Sequence, residues 1–304
     1  MVNYNITLLD GGMGQELIHR SSFKPDSLWS TRVLLDEYDL VVNLHKDFIK
    51  AGADGITINS YGITPHRLKR HNLDNMFVTL QQKSVAAAKQ AIDEMSSSKK
   101  IQIYGCLPPL IGSYYRTVGI NRTEAVEIYK KMIQIQERGV DAFICETVTS
   151  IEEAQILIEA TYETSKKVIL SFTVDEVDGT ILRSGESLEL ALNEFDNSKV
   201  DAFLVNCSPP ESMTASLKIL KNFSKPFGLL PNGFETCLPL TPGENVSVLK
   251  KRNDFNQETF VSFVVKCVNE GASIVGGCCE VSPEYISAVS NKIFNLNKQI
   301  GVNF

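Results

Sequence analysis

Eight short apolar runs, separated by segments with helical periodicity, limit the folds open to this 304-residue chain. The runs occupy residues 6–12, 54–59, 101–106, 141–147, 168–174, 201–207, 227–233 and 272–279. They are nearly all-apolar rather than alternating, as expected for parallel strands covered on both faces. Three of the intervening segments end at Gly52, Gly139 or Gly271, a common stop signal for a helix.

Strands alternating with helices along the chain predict a (β/α)8 TIM barrel, with residues 1–304 as a single domain. A doubly wound open sheet is the alternative. The junctions AGADGITIN, ERGVDAFIC, NSKVDAFLV and NEGASIVGG look alike, and each is predicted to lead from a helix into a buried strand. Their spacing varies, which indicates βα units rather than a solenoid repeat.

Charge and cysteine usage exclude several classes of partner. The net charge is −6, with 36 acidic and 30 basic residues, which disfavours nucleic-acid binding. The basic stretches at 67–70 and 249–252 are short and are predicted to be solvated surface. No apolar run approaches the roughly 18 residues of a membrane span, and the first residues do not resemble a signal peptide. We therefore expect a cytoplasmic protein whose seven cysteines are unbridged.

The active site of such a barrel lies at the carboxyl ends of its strands. None of the predicted strand ends carries a lysine or a histidine. Schiff-base aldolase chemistry therefore lacks its nucleophile, and the common histidine-based metal and general-base sites are missing. What these ends hold instead is sulfur and carboxylate.

Cys207, Cys278 and Cys279 form the strongest candidate constellation, at the ends of predicted strands six and eight. Adjacent residues on a regular strand point to opposite faces, so both cysteines of the pair reach one metal only where the backbone leaves strand geometry. Gly276 and Gly277 give the backbone that freedom. Three thiolates with one open position match a catalytic Zn²⁺ site, while buried packing is the alternative interpretation.

The remaining candidates are weaker. The other four cysteines are predicted to be packing residues: Cys106, Cys145, Cys237 and Cys267. The four histidines, at 19, 45, 66 and 71, show no ligand spacing and are predicted to lie at the surface or around the site. DGGMGQEL resembles a dinucleotide fingerprint only weakly, since Leu17 replaces its third glycine. Asp10 and Glu146 follow apolar runs, where a carboxylate either binds an ammonium group or caps the next helix.

Taken together, these motifs resemble the homocysteine S-methyltransferase family. The resemblance covers nearly the whole chain, through LLDGGMGQEL, AGADGITINSY, SFTVDEVDGTILRSGESL, LVNCSPP, LPN and GGCC. It implies a (β/α)8 barrel enzyme with zinc held by Cys207, Cys278 and Cys279. In that family the open zinc position receives the homocysteine thiol, and methyl transfer gives methionine.

The same resemblance assigns substrate contacts. It implies that Glu146 and the Asp10–Gly11 turn hold the amino-acid end of homocysteine, and Asn206 of the LVNC motif is also predicted to bind substrate. Family members use S-methylmethionine, S-adenosylmethionine or betaine, or folate through cobalamin in a much longer protein. Trp29 could form one wall of a betaine cage, but Gly62 replaces the aromatic residue that would follow Tyr61. We therefore expect S-methylmethionine as donor, with S-adenosylmethionine slower.

Two segments depart from the family pattern. Glu280 follows GGCC where glycine is usual, and whether this extra carboxylate faces the zinc, and so alters substrate fit or rate, stays open. The segment GCLPPLIGSYY, residues 105–115, differs from the family's Gly-Pro-Tyr-Gly type. Two other functions stay open: a redox sensor that forms a Cys278–Cys279 disulfide, and an inactive zinc-binding barrel that serves as an interaction module.

Overall fold

The fold is a barrel of eight parallel strands, seen in a computed structural model that describes residues 6–95, 99–240 and 246–299. From β2 to β8 each strand pairs in parallel with its neighbours in chain order, and β1 pairs with β8. The seam between β1 and β2 is closed by a bridge from Leu9 to Gly55 and by the Asp10 N–H, which donates to the Gly55 carbonyl at 3.1 Å. The predicted (β/α)8 barrel is therefore confirmed, and the open sheet is wrong.

The strands coincide with the eight apolar runs. They are β1 Thr7–Leu8, β2 Gly55–Thr57, β3 Gln102–Leu107, β4 Ala142–Val148, β5 Lys167–Phe172, β6 Ala202–Asn206, β7 Phe227–Leu230 and β8 Ile274–Val275. β1 and β8 are the shortest strands, with two residues each, and Gly276-Gly277 follow β8 directly.

Helices connect the strands, with extra helices after β1 and β2. They are α1 Met13–Arg20, α2 Ser30–Asp36, α3 Tyr38–Lys50, α4 Pro65–Lys69, α5 Phe77–Glu94, α6 Arg122–Gln136, α7 Ile151–Ala160, α8 Leu188–Phe195, α9 Pro210–Leu220, α10 Gln257–Asn269 and α11 Pro283–Gln299. Gly52 and Gly271 adopt φ of +106° and +104° just after α3 and α10, as the predicted helix stops require. None of the helices in the described ranges is long and apolar enough to cross a membrane.

Alternate strand residues pack on opposite faces of the sheet. On β4, Phe143 and Cys145 belong to the large core between sheet and helices, whereas Ala142 and Ile144 fill the barrel interior. Tyr104 also fills the interior, where the absence of a side chain at Gly55 leaves room for its ring. Burial of both faces explains why the runs are apolar throughout.

An aspartate recurs at the amino ends of the strands. Asp54, Asp141 and Asp201 each precede a strand and accept a hydrogen bond from a backbone N–H of the neighbouring strand, at 2.6 to 2.8 Å. This shared function explains why three of the four junctions look alike in the sequence. It also places these carboxylates at the end of the barrel opposite the site.

Candidate metal centre and active site

Loops at the carboxyl ends of the strands enclose a cavity of about 1350 Å³, a volume that includes its opening to solvent. All the residues predicted to bind metal or substrate line it. They are Asp10, Gly11, Glu146, Asn206, Cys207, Cys278 and Cys279. Because the carboxyl ends of all eight strands lie at the same end of the barrel, residues that follow four different strands come together here.

The sulfur atoms of Cys207, Cys278 and Cys279 form a cluster that can hold a metal ion. All three lie within 4.8 Å of one another, and those of Cys207 and Cys279 are 3.8 Å apart. Tetrahedral coordination with metal–sulfur bonds of about 2.3 Å requires sulfur atoms about 3.8 Å apart. The three side chains therefore fit one metal ion with an open fourth position.

Backbone turns bring these three side chains together. Cys207 follows β6 and adopts φ of +53°, and its N–H donates to the Leu230 carbonyl at 3.0 Å. β8 ends at Val275, so Cys278 and Cys279 lie in the turn beyond Gly276-Gly277. The predicted departure from strand geometry is therefore present, and it lets adjacent cysteines serve one site.

The charge of the cluster favours a cation. Hydrogen bonds with Cys278 and Cys279 lower the pKa of the Cys207 thiol well below its ordinary value, although burial opposes this. The hydrogen bonds with Cys207 raise the pKa values of Cys278 and Cys279. A divalent cation held by the three sulfurs would favour the ionised form of each.

Tyr114 contacts this cluster and was missed in the sequence. Its hydroxyl lies 2.9 Å from the Cys207 sulfur, and its backbone φ is +67°. The Arg183 guanidinium lies 4.9 Å from the centre of the Tyr114 ring and pairs with Glu176 at 3.2 Å. The only signal was the unusual 105–115 segment, which contains Tyr114 but does not reveal its contact.

Asp10 binds β2 instead of capping a helix. Its carboxylate accepts from the Thr57 N–H at 2.8 Å, whereas the N-cap of α1 is Gly12, without a side-chain cap. Burial raises the pKa of Asp10 from 3.8 to about 7. A cation placed beside this carboxylate would favour its ionised form.

Glu146 lies on β4, in the stretch between Cys145 and Val148 where the pairing register with β5 shifts. Burial, and next the charge of Asp10, raise the pKa of Glu146 from 4.5 to about 8, while a hydrogen bond with Cys106 opposes this. Cys106 is buried as predicted, but packing is not its whole role, because it lines the cavity beside Glu146. Two buried carboxylates with raised pKa values in one cavity are a candidate functional pair, and a cation between them would favour their ionised forms.

These raised pKa values predict a pH-dependent stability. The folded, ligand-free protein retains protons on Asp10 and Glu146 that the unfolded chain releases above about pH 4 to 5, so stability is present at low pH and is lost as pH rises towards 8. Glu146→Gln removes one of these groups. We expect its stability relative to the parent protein to rise by on the order of 3 kcal/mol between pH 5 and 8, measured by urea unfolding. A pH-independent difference would contradict this.

Asn206 supports the wall beside Glu146. Its Oδ1 accepts from the Thr147 N–H at 3.0 Å and from the Ser171 hydroxyl at 2.7 Å, and its Nδ2 donates to the Thr147 hydroxyl at 2.9 Å. Thr147 adopts φ of +57°, a conformation that these bonds hold. Most of the hydrogen-bonding capacity of the Asn206 amide is therefore engaged within the protein. A role in positioning Thr147 suits Asn206 better than direct substrate contact.

Gly11 permits a close approach between two turns of the site. A Cβ at Gly11 would lie 2.2 Å from the Val281 carbonyl oxygen. The turn after β1 can therefore pack against the turn that carries Cys278 and Cys279 only with glycine here.

An aromatic corner and two arginines complete the cavity. The rings of Trp29 and Tyr61 meet edge to face with centroids 5.8 Å apart. Arg67 lies 5.1 Å from the centre of the Tyr61 ring, and both Arg67 and Arg70 line the cavity. The prediction that residues 67–70 are solvated surface holds for Lys69 and Arg70, which are exposed, but is wrong for the buried Leu68 and for Arg67, which α4 turns towards the site.

Glu280, whose direction the sequence left open, does not line the cavity. It adopts φ of +66°, and its carboxylate accepts from Gln15 Nε2 at 2.9 Å. The side chains of His19 and Lys251 lie 3.1 and 3.3 Å from the same carboxylate. The left-handed backbone turns Glu280 away from the cysteines beside it, so its carboxylate faces α1 and the loop after β7.

The other sulfur and imidazole groups have mainly structural roles. Cys145, Cys237 and Cys267 are buried, as predicted. His19, His66 and His71 each contact a polar side chain near the surface. His45 does not lie at the surface: it is fully buried in α3, and burial lowers its pKa to about 3, so it is neutral.

Comparison with known proteins identifies the class of enzyme to which this site belongs. Residues 7–293 match the family described as homocysteine S-methyltransferase. The match spans most of the chain, and the chain therefore belongs to that family.

Individual relatives agree with this assignment. Homocysteine S-methyltransferase 2 of Arabidopsis thaliana is 28% identical, with 95% of this chain and 93% of that protein covered. Selenocysteine Se-methyltransferase of Brassica oleracea var. italica is 29% identical, with coverages of 94% and 88%. The metallated crystal structure of the homocysteine methyltransferase MmuM from Escherichia coli superposes with a TM-score of 0.80, at 26% identity and coverages of 95% and 96%.

Proposed function

We propose that this protein transfers a methyl group from a sulfonium donor, S-methylmethionine, to the sulfur of L-homocysteine, with Zn²⁺ as cofactor and methionine as product. The observation that carries the proposal is the cluster of Cys207, Cys278 and Cys279 beside two buried carboxylates in one cavity. Since the described chain has no membrane-spanning helix and is acidic overall, we propose small-molecule substrates and a cytoplasmic setting, without membrane or nucleic-acid partners.

Zinc suits this donor set. Three cysteine sulfurs at tetrahedral spacing are soft ligands, and they leave one position for a further sulfur. When bound there, zinc lowers the pKa of the substrate thiol so that it is ionised near neutral pH. Three thiolates outweigh the two charges of the metal by one, which keeps the site anionic and the sulfur electron-rich.

The carboxylates orient the acceptor. The homocysteine ammonium lies between Asp10 and Glu146 in this proposal, and both carboxylates are then ionised. Asn206 holds the backbone of Thr147 and so supports Glu146. Fixing the amino-acid end aims the sulfur at the open side of the cysteine cluster, which supplies the positioning that a displacement reaction requires.

The methyl transfer is a single displacement. The lone pair of the homocysteine sulfur forms a bond to the donor's methyl carbon as the bond from that carbon to the sulfonium sulfur breaks. The breaking pair stays on the departing sulfur, which becomes a neutral thioether, so S-methylmethionine yields a second methionine. No proton moves in this step. An anionic site attracts the cationic donor, and the charges cancel in the transition state.

The aromatic corner gives a place for the donor's positive charge. Trp29 and Tyr61 both line the cavity, where Arg67 already lies against the Tyr61 ring, so the Trp29 ring is the one proposed to meet the donor. Aromatic rings attract sulfonium and ammonium groups alike. This corner also supports betaine as the alternative donor. S-adenosylmethionine shares the sulfonium and is proposed as a slower donor.

The deciding experiment measures methionine formation by reduced, zinc-loaded protein from homocysteine with S-methylmethionine, and with betaine in parallel. A chelated aliquot serves as the control. Product with S-methylmethionine that disappears on chelation supports donor and metal together. No product from protein that holds one zinc would overturn the donor assignment, and product with betaine alone would replace it.

The Tyr114 hydroxyl is expected to tune the metal centre. Tyr114→Phe removes a hydrogen bond to the Cys207 sulfur, and loss of such an outer contact typically costs tenfold or more in metal affinity or activity. We expect about tenfold weaker zinc retention in chelator competition. Tyr115→Phe, which removes a hydroxyl from the next residue, is the control. Equal zinc retention in both variants would exclude this role.

A further inference from the structure

A buried chain of hydrogen bonds connects the turn of the metal-binding cysteines with the aromatic corner. Glu280 follows Cys279 directly and accepts from Gln15 Nε2 at 2.9 Å. Gln15 Oε1 in turn accepts from Trp29 Nε1 at 2.8 Å. Gln15 is 6% exposed and the Glu280 side chain 2%, so water does not replace these bonds. Because both ends of the Gln15 amide are engaged, its orientation is fixed.

Glu280 keeps an unfavourable conformation to make this contact. Its φ of +66° lies in the left-handed region, which costs a residue with a Cβ about 1 kcal/mol or more relative to glycine. Its other partners, His19 and Lys251, are half exposed, with side-chain exposures of 52% and 51%. Only the bond to Gln15 leads inwards, towards the cavity.

Trp29 is held at the cavity wall by this chain. Its indole covers Gly14, where a Cβ would lie 2.2 Å from the ring, and its edge meets the Tyr61 ring. The backbone φ of Trp29 is +52°, a left-handed conformation that is unfavourable for a residue with a side chain. Surrounding contacts must therefore stabilise it. Among the described residues, Gln15 is the hydrogen-bond partner of the Trp29 indole, and this bond, with the edge-to-face contact to Tyr61, sets the rotation of the ring.

We propose that Glu280 is a positioning residue for the methyl donor: through Gln15 it fixes the Trp29 indole against which the donor's cationic head binds. The inference rests on the proposed function, since it takes the donor to be a cation in this cavity. It explains why a carboxylate occurs at position 280 although it does not line the cavity. Cation–π attraction depends on ring placement, so a mobile indole would weaken donor binding.

The chain contains a single tryptophan, so its fluorescence reports on Trp29 alone. The test compares Glu280→Gly, which suits the local φ, with Gln15→Leu, which breaks the same chain away from the cysteines. In both we expect Trp29 emission to shift to longer wavelength, with stronger acrylamide quenching. The KM for S-methylmethionine should rise about tenfold, the scale of a desolvated cation–π contact. Zinc content and the KM for homocysteine should not change.

Two further variants sharpen the result. Glu280→Gln keeps an acceptor oxygen for Gln15, and it should retain the parent emission and donor KM. Lys251→Met removes a partner of Glu280 that does not lead to Trp29, and it should also behave as the parent protein.

Unchanged emission and donor KM in both Glu280→Gly and Gln15→Leu would overturn the inference. Zinc loss in Glu280→Gly with parent-like emission would also overturn it, because Glu280 would then act on the cysteine turn. Failure of the parent protein to form methionine would instead overturn the proposed function. In that case, quenching of Trp29 by trimethylsulfonium, compared between parent and Gln15→Leu, still decides the inference: equal quenching contradicts it, and weaker quenching in the variant supports it.

Discussion

Cys207→Ser is expected to lose both bound zinc and methionine formation. Serine is a hard, far less acidic ligand, and it would leave Cys278 and Cys279 as the only sulfurs of the cluster. Since enzymes supply rate accelerations of about 10⁶ or more, loss of the activating metal should lower turnover by at least on the order of 10³. Metal content by atomic spectroscopy and methionine formation at saturating homocysteine measure the two effects separately.

Cys267→Ser is the matched control, because it makes the same change in a fully buried cysteine of α10, away from the cavity. It should keep its zinc and its turnover. The redox-sensor alternative makes a different forecast for Cys207→Ser: the Cys278–Cys279 pair is intact, so reversible oxidation with loss of about two hydrogens in mass should persist and function should be metal-independent. Full turnover of metal-free Cys207→Ser would therefore refute the zinc mechanism.

Glu146→Gln is expected to impair homocysteine binding above all. The substitution keeps the shape of the side chain but removes the charge that would pair with the substrate ammonium. Truncating one partner of a buried charge pair costs 2 to 5 kcal/mol, so the KM for homocysteine should rise about a hundredfold. The KM for the methyl donor and the zinc content should change little, since Glu146 is not one of the clustered cysteines.

Glu153→Gln provides the comparison. Burial raises the pKa of Glu153 to about 7, as it does for Glu146, but Glu153 accepts from the Thr149 N–H and does not line the cavity. It should leave the KM for homocysteine unchanged. Equal effects of the two substitutions would mean that loss of any buried carboxylate disturbs the barrel, and would remove Glu146 from the binding site.

The sequence was sufficient for the barrel and for the cysteine cluster, for a common reason. Parallel strands buried on both faces must be apolar throughout, and the chemistry of a barrel must lie where those strands end. Cys207, Cys278 and Cys279 occur at such ends. Gly276-Gly277 indicates the turn that lets both Cys278 and Cys279 reach the same site. Each of these signals is local and needs no knowledge of side-chain direction.

The remaining features depend on loop conformation, which periodicity does not encode. Tyr114 reaches Cys207 because its loop folds back over the cavity. The direction of the Glu280 side chain was open from the sequence, and a positive φ turns it away from the cysteines. That finding also removes the main support for an inactive barrel. Arg67 lies in a basic stretch typical of surfaces, yet it packs against Tyr61 in the cavity.

Residues with a left-handed backbone conformation cluster around the cavity. Six non-glycine residues of the described chain have positive φ, and all but Asn72 lie in or next to the cavity. The five residues at the cavity are Trp29, Tyr114, Thr147, Cys207 and Glu280. Glycine at any of them would relieve about 1 kcal/mol of backbone strain but would also remove a side chain that lines or supports the cavity. Glycine replacing Cys207 or Tyr114 in a relative is therefore expected to mark a barrel that no longer has this metal centre.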